Sequence, residues 1–115
     1  MTRAPQATTI IGGGSFGTVL ANIAASNGHD TRLWLRDPDL ANEIKRKGYN
    51  PRYLTDLRLD KRLTITTDMQ HALTGDRLVL LAVPSKFFSA IFTLMRPWIS
   101  EHHLLASPNL SLIHI

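Results

Sequence analysis

The stretch from Ile10 to Gly17, IIGGGSFG, places four glycines in eight residues directly after the β-branched run TTII. Glycine loses more backbone freedom on folding than any other residue, so a corner this rich in it marks a sharp turn or a close approach of the backbone to another group. Gly12, Gly14 and Gly17 are spaced G-x-G-x-x-G. That pattern is short, and it gains meaning from lying between a predicted strand and a predicted helix. In that setting Gly12 permits the turn, Gly14 lets a pyrophosphate reach the backbone, and Gly17 lets the helix pack on the strand. The first N–H groups of the helix, at the positive end of its dipole, then face the phosphates.

The periodicity of the remaining chain supplies a scaffold for such a corner. From Ser15, the residues Phe16, Val19, Leu20, Ile23 and Ala24 recur at helical spacing and predict a buried face, with Gly28 as the left-handed stop. A second strand is expected over 31–35. Asp37-Pro38-Asp39 has the chemistry of a helix start, and that helix runs to about Lys47 and stops at Gly48. Residues 49–62 show no clear period and are expected to form a long loop. A third strand (63–66), a short helix capped by Asp68, and the apolar run RLVLLAV (77–83) follow. The apolar run suits a strand covered on both faces. Pro84-Ser85 breaks it. A helix with Phe87, Phe88, Ile91, Leu94 and Met95 then ends at Pro97, and a strand begins near His103. Strands alternating with helices at this spacing predict an α/β fold, a Rossmann-type, right-handed, doubly wound parallel sheet.

Composition narrows the function classes. With 115 residues and 43% hydrophobic content, the chain suits one small domain with one core. The absence of cysteine removes disulfides, thiolate catalysis and thiolate metal sites. His102-His103 lacks a third ligand, so no metal is expected. No apolar run is long enough to span a bilayer, and the first residues lack a signal-peptide pattern, so the cytoplasm is the expected compartment. The formal charge of +4 suits an anionic partner. Lys45-Arg46-Lys47 and Lys61-Arg62 carry no interleaved aromatics, which favours solvated surfaces over nucleic-acid contacts.

Two further corners refine the ligand. An Asp or Glu about 20 residues beyond the glycines suits a free adenosine ribose, whereas an arginine there suits a 2′-phosphate. Leu35-Arg36-Asp37 offers both. Because Pro38 makes Asp37 the natural N-cap, Arg36 is free to pair with a 2′-phosphate. NADPH is therefore favoured over NADH, with NADH the alternative. Val83 and Pro84 end the strand expected beside the first, at the point where ligands lie in open α/β sheets. They are expected to line the cofactor's ribose and nicotinamide side, with a purely structural turn as the competing reading.

The stretches IIGGGSFGTVLANIAASNGHDTRLWLRD, NPRYLTDLRLDKRLTITTDMQHAL and VLLAVPS resemble bacterial NAD(P)-dependent glycerol-3-phosphate dehydrogenase over roughly residues 8–107. The resemblance implies reversible hydride transfer between NAD(P)H and dihydroxyacetone phosphate, giving sn-glycerol 3-phosphate for phospholipid synthesis. It places Ser15 and Phe16 against the cofactor at the helix start, Arg36 at its adenosine end, and Tyr53 as a loop aromatic approaching it. It also implies a small phosphorylated substrate and, as one arrangement of the full-length protein, a homodimer. The alternatives are the cofactor domain of a related two-domain reductase and a non-catalytic nucleotide-binding module.

Two departures from the family pattern stand out. Where the family has a Ser-Lys-Gly or Thr-Lys-Gly turn, this chain has Ser107-Pro108-Asn109, and the helical substrate domain has no counterpart. No catalytic residue is therefore assigned, and the chain alone is expected to be inactive. The organisation expected is a flexible tail (1–7), a truncated NAD(P)-binding domain (8–109) and a segment (110–115) of foreign origin. The last expectation rests on LSLIHI being the in-frame translation of CTG TCT CTT ATA CAC ATC, which looks like a transposase adapter. A natural apolar strand is the alternative.

Overall fold

The computed structural model describes residues 7–107 and 112–113. The expected tail at 1–6, Pro108 and Asn109, and most of 110–115 lie outside the described residues. The chain runs β1 (Thr8–Ile11), α1 (Ser15–Ser26), β2 (Thr31–Trp34), α2 (Pro38–Lys47), β3 (Thr64–Thr66), α3 (Met69–Leu73), β4 (Arg77–Leu81), a 3-10 turn (Ser85–Phe87), α4 (Phe88–Met95), β5 (His103–Ala106) and β6 (Leu112–Ile113). The sheet order is β3-β2-β1-β4-β5-β6. The first five of these strands are parallel, and β6 pairs antiparallel with β5 through Ala106↔Leu112 and Leu105↔Ile113. This is the Rossmann-type α/β sheet that the strand–helix alternation predicts.

Each strand residue faces one of two cores because side chains alternate across the sheet. Ile10 and Leu33 join Ala21, Leu40, Ala41 and Ile44 beneath α1 and α2. Ile11, Trp34, Val79 and Leu81 join Met69, Leu73, Ile91 and Met95 beneath α3 and α4. The central strand β1 is buried along its whole length, as a strand with helices on both faces must be.

The face of α1 differs from the expected one. Phe16 and Ile23 are 53% and 52% exposed, while Gly17, Thr18, Ala21 and Ala25 are buried. The helix turns its small residues to the sheet because it must lie close: a Cβ on Gly17 would stand only 3.2 Å from Ala82 Cβ. Helix α2 follows its sequence signals closely. Asp37 Oδ1 accepts the Asp39 N–H at 2.9 Å, Pro38 opens the helix, and Gly48 closes it with φ of 80°. Asp68 caps α3 by accepting the Gln70 and His71 N–H groups.

Arg77 is a buried cation at the N-terminal edge of the sheet, which the apolar run gave no reason to expect. Its guanidinium donates to Thr9 Oγ1, Thr8 O and Asp30 O, each at 2.7 Å, and to Asp30 Oδ2 at 3.2 Å. Thr9 Oγ1 in turn donates to Ala72 O at 2.5 Å. Burial pushes the Arg77 pKa down from its ordinary value, opposed by the hydrogen bond to Asp30, and an arginine so placed keeps its charge.

Candidate functional site

The strand order reverses beside β1. The chain leaves β1 toward β2 and β3, then returns through α3 to place β4 on the opposite side of β1. Two crossovers therefore diverge at the carboxyl ends of β1 and β4, and a crevice opens there. It is a cleft of about 490 Å³, lined by Gly12–Gly14 from the first corner, Arg36 and Asp37 from the end of β2, and Arg52 and Tyr53 from the loop. Ala82, Val83, Pro84, Phe87, Ala90 and Ile91 close it from the β4 side.

The glycines of the floor divide by what confines them. Gly12 has φ of 126°, and a Cβ there would lie 2.5 Å from Ala82 O. A Cβ on Gly17 would lie 2.0 Å from Gly12 O. Both are demanded by the fold itself, since no side chain fits. Gly14 is different. Its φ is −76° and nothing lies within 4 Å of the position its Cβ would take. The protein alone has room for a side chain at residue 14, and that room opens into the cleft. Gly14 is also the N-cap of α1, and no side chain at that position caps the N–H groups of the first turn.

The loop expected over 49–62 is more ordered at its start than a featureless connection. Asn50 is fully buried. Its amide donates to Gly13 O at 2.9 Å and Thr18 Oγ1 at 3.1 Å, and its Oδ1 accepts the Arg52 and Tyr53 N–H groups, each at 3.1 Å. Ser15 Oγ adds a bond to Tyr53 O at 3.0 Å. The loop is thereby tied to the glycine corner, and Tyr53, half exposed, stands at the cleft. Asn50 and Arg52 carry no periodicity or capping signal that would single them out in the sequence.

The charged end of the cleft holds two cations and one anion. Arg36 is exposed and makes no ion pair among the described residues. Asp37 Oδ2 accepts from Arg52 Nη1 at 2.9 Å while Oδ1 caps α2. The Arg52 hydrogen bond, then the Asp39 N–H, holds the Asp37 carboxyl below the usual carboxylate range. The opposite end, from Ala82 to Ile91, contributes only apolar or proline side chains to the cleft.

Six of the nine residues singled out by sequence therefore meet at one cleft: Gly12, Gly14, Arg36, Tyr53, Val83 and Pro84. Gly17 lies buried beneath it, and Ser15 and the exposed Phe16 occupy the first turn of α1 at its margin. The two basic runs also meet. Lys45–Lys47, Arg58 and Lys61 line a second, separate cleft of about 370 Å³ at the end of α2, where cations suit the negative pole of the helix. No metal-binding group of His, Asp or Glu occurs among the described residues, and no helix among them is long and apolar enough to cross a membrane.

A parallel sheet with a G-x-G-x-x-G corner at its switch point is a Rossmann-type domain of the kind found in oxidoreductases. The family model for the N-terminus of NAD-dependent glycerol-3-phosphate dehydrogenase matches residues 7–109, and the chain belongs to that family. It is 40% identical over 107 residues to the NAD(P)+ glycerol-3-phosphate dehydrogenase of Alcanivorax borkumensis, covering 93% of this chain and 31% of that protein. It is 43% identical over 105 residues to the one from Desulfovibrio desulfuricans, covering 91% and 29%. The crystal structure of glycerol-3-phosphate dehydrogenase from Coxiella burnetii superposes with a TM-score of 0.83 at 33% identity, covering 90% of this chain and 32% of that one. The chain thus spans about a third of the length of these relatives and corresponds to their N-terminal domain.

Proposed function

We propose that the cleft binds a nicotinamide dinucleotide, NADPH in preference to NADH, and that residues 8–109 are the cofactor-binding part of a cytoplasmic enzyme interconverting dihydroxyacetone phosphate and sn-glycerol 3-phosphate for phospholipid synthesis. The observation that carries the binding is Gly14: the fold leaves its side-chain position empty, and a backbone approached by a pyrophosphate needs it empty. The relatives' names supply the reaction.

The cofactor, when bound, supplies the hydride. This chain's residues do the holding. Gly12 and Gly14 shape the floor, and the uncapped N–H groups at the start of α1 receive the pyrophosphate, with Ser15 and Phe16 beside it. Arg36 meets the 2′-phosphate of the adenosine ribose, and its planar fork suits a phosphate. Tyr53 covers the cofactor from the loop side. Val83 and Pro84 present a dry wall to the ribose and nicotinamide. Reduction of a ketone also needs a group that stabilises or protonates the developing alkoxide. Among the described residues no titratable side chain lines the Ala82–Ile91 end of the cleft, which supports a chain that holds the cofactor without turning substrate over.

Titration of the purified chain with NADPH and NADH, read by nicotinamide fluorescence, tests this. NADPH binds more tightly, and Arg36→Ala weakens NADPH about tenfold or more while barely changing NADH, as loss of a charged hydrogen bond predicts. Equal affinities for the two cofactors refute the role of Arg36.

A further inference from the structure

The pairing of Asp37 with Arg52 bears on the specificity of the proposed dinucleotide site, and the inference drawn from it rests on that reading. In a site for an unphosphorylated ribose, a carboxylate at the end of the second strand accepts the 2′-hydroxyl. Asp37 stands at that place, yet each of its oxygens already has a partner. Oδ1 holds the first turn of α2, and Oδ2 holds the Arg52 guanidinium at 2.9 Å. A hydroxyl arriving at either oxygen would share it, and at Oδ2 it would compete with the charged Arg52 guanidinium.

Arg52 is not placed there by chance of a loose loop. The buried amide of Asn50 accepts its backbone N–H, and the same amide donates to Gly13 O in the glycine corner. The Arg52 backbone and the glycine corner are therefore tied to one another through a single side chain, and the Asp37 pair at 2.9 Å directs the guanidinium. Arg36, Asp37 and Arg52 all line the cleft, so its charged end carries a formal excess of one positive charge. Without Arg52 that excess vanishes, and a bare carboxylate would face a phosphate carrying between one and two negative charges.

We infer that Arg52 is a specificity-determining residue: by competing for the Asp37 carboxylate it disfavours the free ribose hydroxyl, and with Arg36 it forms a two-cation seat for a 2′-phosphorylated dinucleotide. The two effects act in opposite directions on the two cofactors. A residue that merely supported the loop would affect both alike.

The test measures dissociation constants of NADPH and NADH for the 115-residue chain and for Arg52→Gln, Arg52→Lys and Asp37→Asn. Arg52→Gln weakens NADPH about tenfold or more and leaves NADH unchanged or tighter, because Asp37 Oδ2 is released. Arg52→Lys, which keeps the charge and loses the fork, restores part of the NADPH affinity. Asp37→Asn keeps an oxygen for the cap, frees Arg52 and tightens NADPH. Arg52→Gln weakening both cofactors equally, or neither, overturns the inference while leaving the dinucleotide site standing. An unaltered chain that binds neither cofactor overturns the dinucleotide reading itself, and the inference with it.

Discussion

Glycines 14 and 17 lie three residues apart in one motif, yet the protein itself excludes a side chain only at Gly17. Replacing each by alanine should therefore fail in different ways. At Gly17 the new methyl would stand 2.0 Å from Gly12 O, a contact real Cβ atoms do not make, and the oxygen must retreat by about 1 Å. That oxygen belongs to a corner held by the Gly12 N–H to Trp34 O bond of 2.8 Å and flanked by Ala82, so it cannot retreat alone. Overpacking of this kind costs about 1–3 kcal/mol, here toward the upper end, and for a domain of this size lowers the thermal midpoint by about 4 °C or more per kcal/mol. At Gly14 the methyl meets nothing within 4 Å and φ is already that of an ordinary residue. Reduced freedom of the unfolded chain favours alanine by about 0.4–1 kcal/mol, and the poorer N-cap offsets a similar amount, so stability stays within about 1 kcal/mol of the original. Binding is what suffers. On the proposed reading the methyl projects into the pyrophosphate's place, and losing one charge-assisted hydrogen bond of about 1.5–3 kcal/mol weakens affinity at least tenfold. Thermal unfolding followed by circular dichroism, and NADPH titration of each folded variant, separate the two. If Gly14→Ala melts far below the original protein while its folded form still binds normally, the assignment of Gly14 to the ligand is wrong.

Three further outcomes concern stability. Arg77→Met should cost about 2–3 kcal/mol in denaturant unfolding, because its side chain is 2% exposed and its loss removes the hydrogen bonds it donates to Thr8 O, Thr9 Oγ1 and Asp30 O. Asp30→Asn, whose carboxylate is 62% exposed, should cost under about 1 kcal/mol, and equal losses would contradict the view that the backbone carbonyls hold Arg77. Asp60, hydrogen-bonded to Arg62, has its pKa lowered from 3.8 to about 2. A lowered folded-state pKa stabilises above the unfolded value and is lost as pH falls through the folded one. The stability gap between the original protein and Asp60→Asn should thus be fully open above about pH 4 and close toward pH 2. A gap of constant size across that range would argue against the ion pair.

Much of this architecture was readable because its signals are local. The β-branched run before the glycines, the Asp37-Pro38 start and Gly48 stop of α2, and the Asp68 cap each act through neighbours in sequence, and each appears where expected. The face of α1 was not readable by hydrophobicity, because the sheet selects for size: Gly17, Ala21 and Ala25 form a small-residue stripe that the larger Phe16, Leu20 and Ile23 outweigh on any apolar scale. Arg77 was hidden for the same kind of reason. An arginine opening an apolar strand looks like its exposed end until the carbonyls of Thr8 and Asp30, far off in the chain, converge on it. In the cleft, Gly12, Gly14 and Arg36 were legible from spacing and Tyr53 from the family resemblance. Arg52 and Asn50 were not, since their roles arise only when an otherwise unpatterned loop folds back on the glycine corner.

The reversal of strand order beside β1 also fixes when the cleft can exist. Thr8 pairs with Thr31 on one side and with Leu78 on the other. Closing the second pairing spans a chain about three times as long, which adds about 1 kcal/mol of loop-closure entropy and slows the search. The corner, Arg36, Arg52 and Tyr53 all precede that closure, whereas the Val83–Pro84 wall follows it. A chain synthesised from its N-terminus thus holds the glycine corner and the charged residues of the cleft before it has the apolar wall, and the pocket becomes a pocket only when β4 arrives.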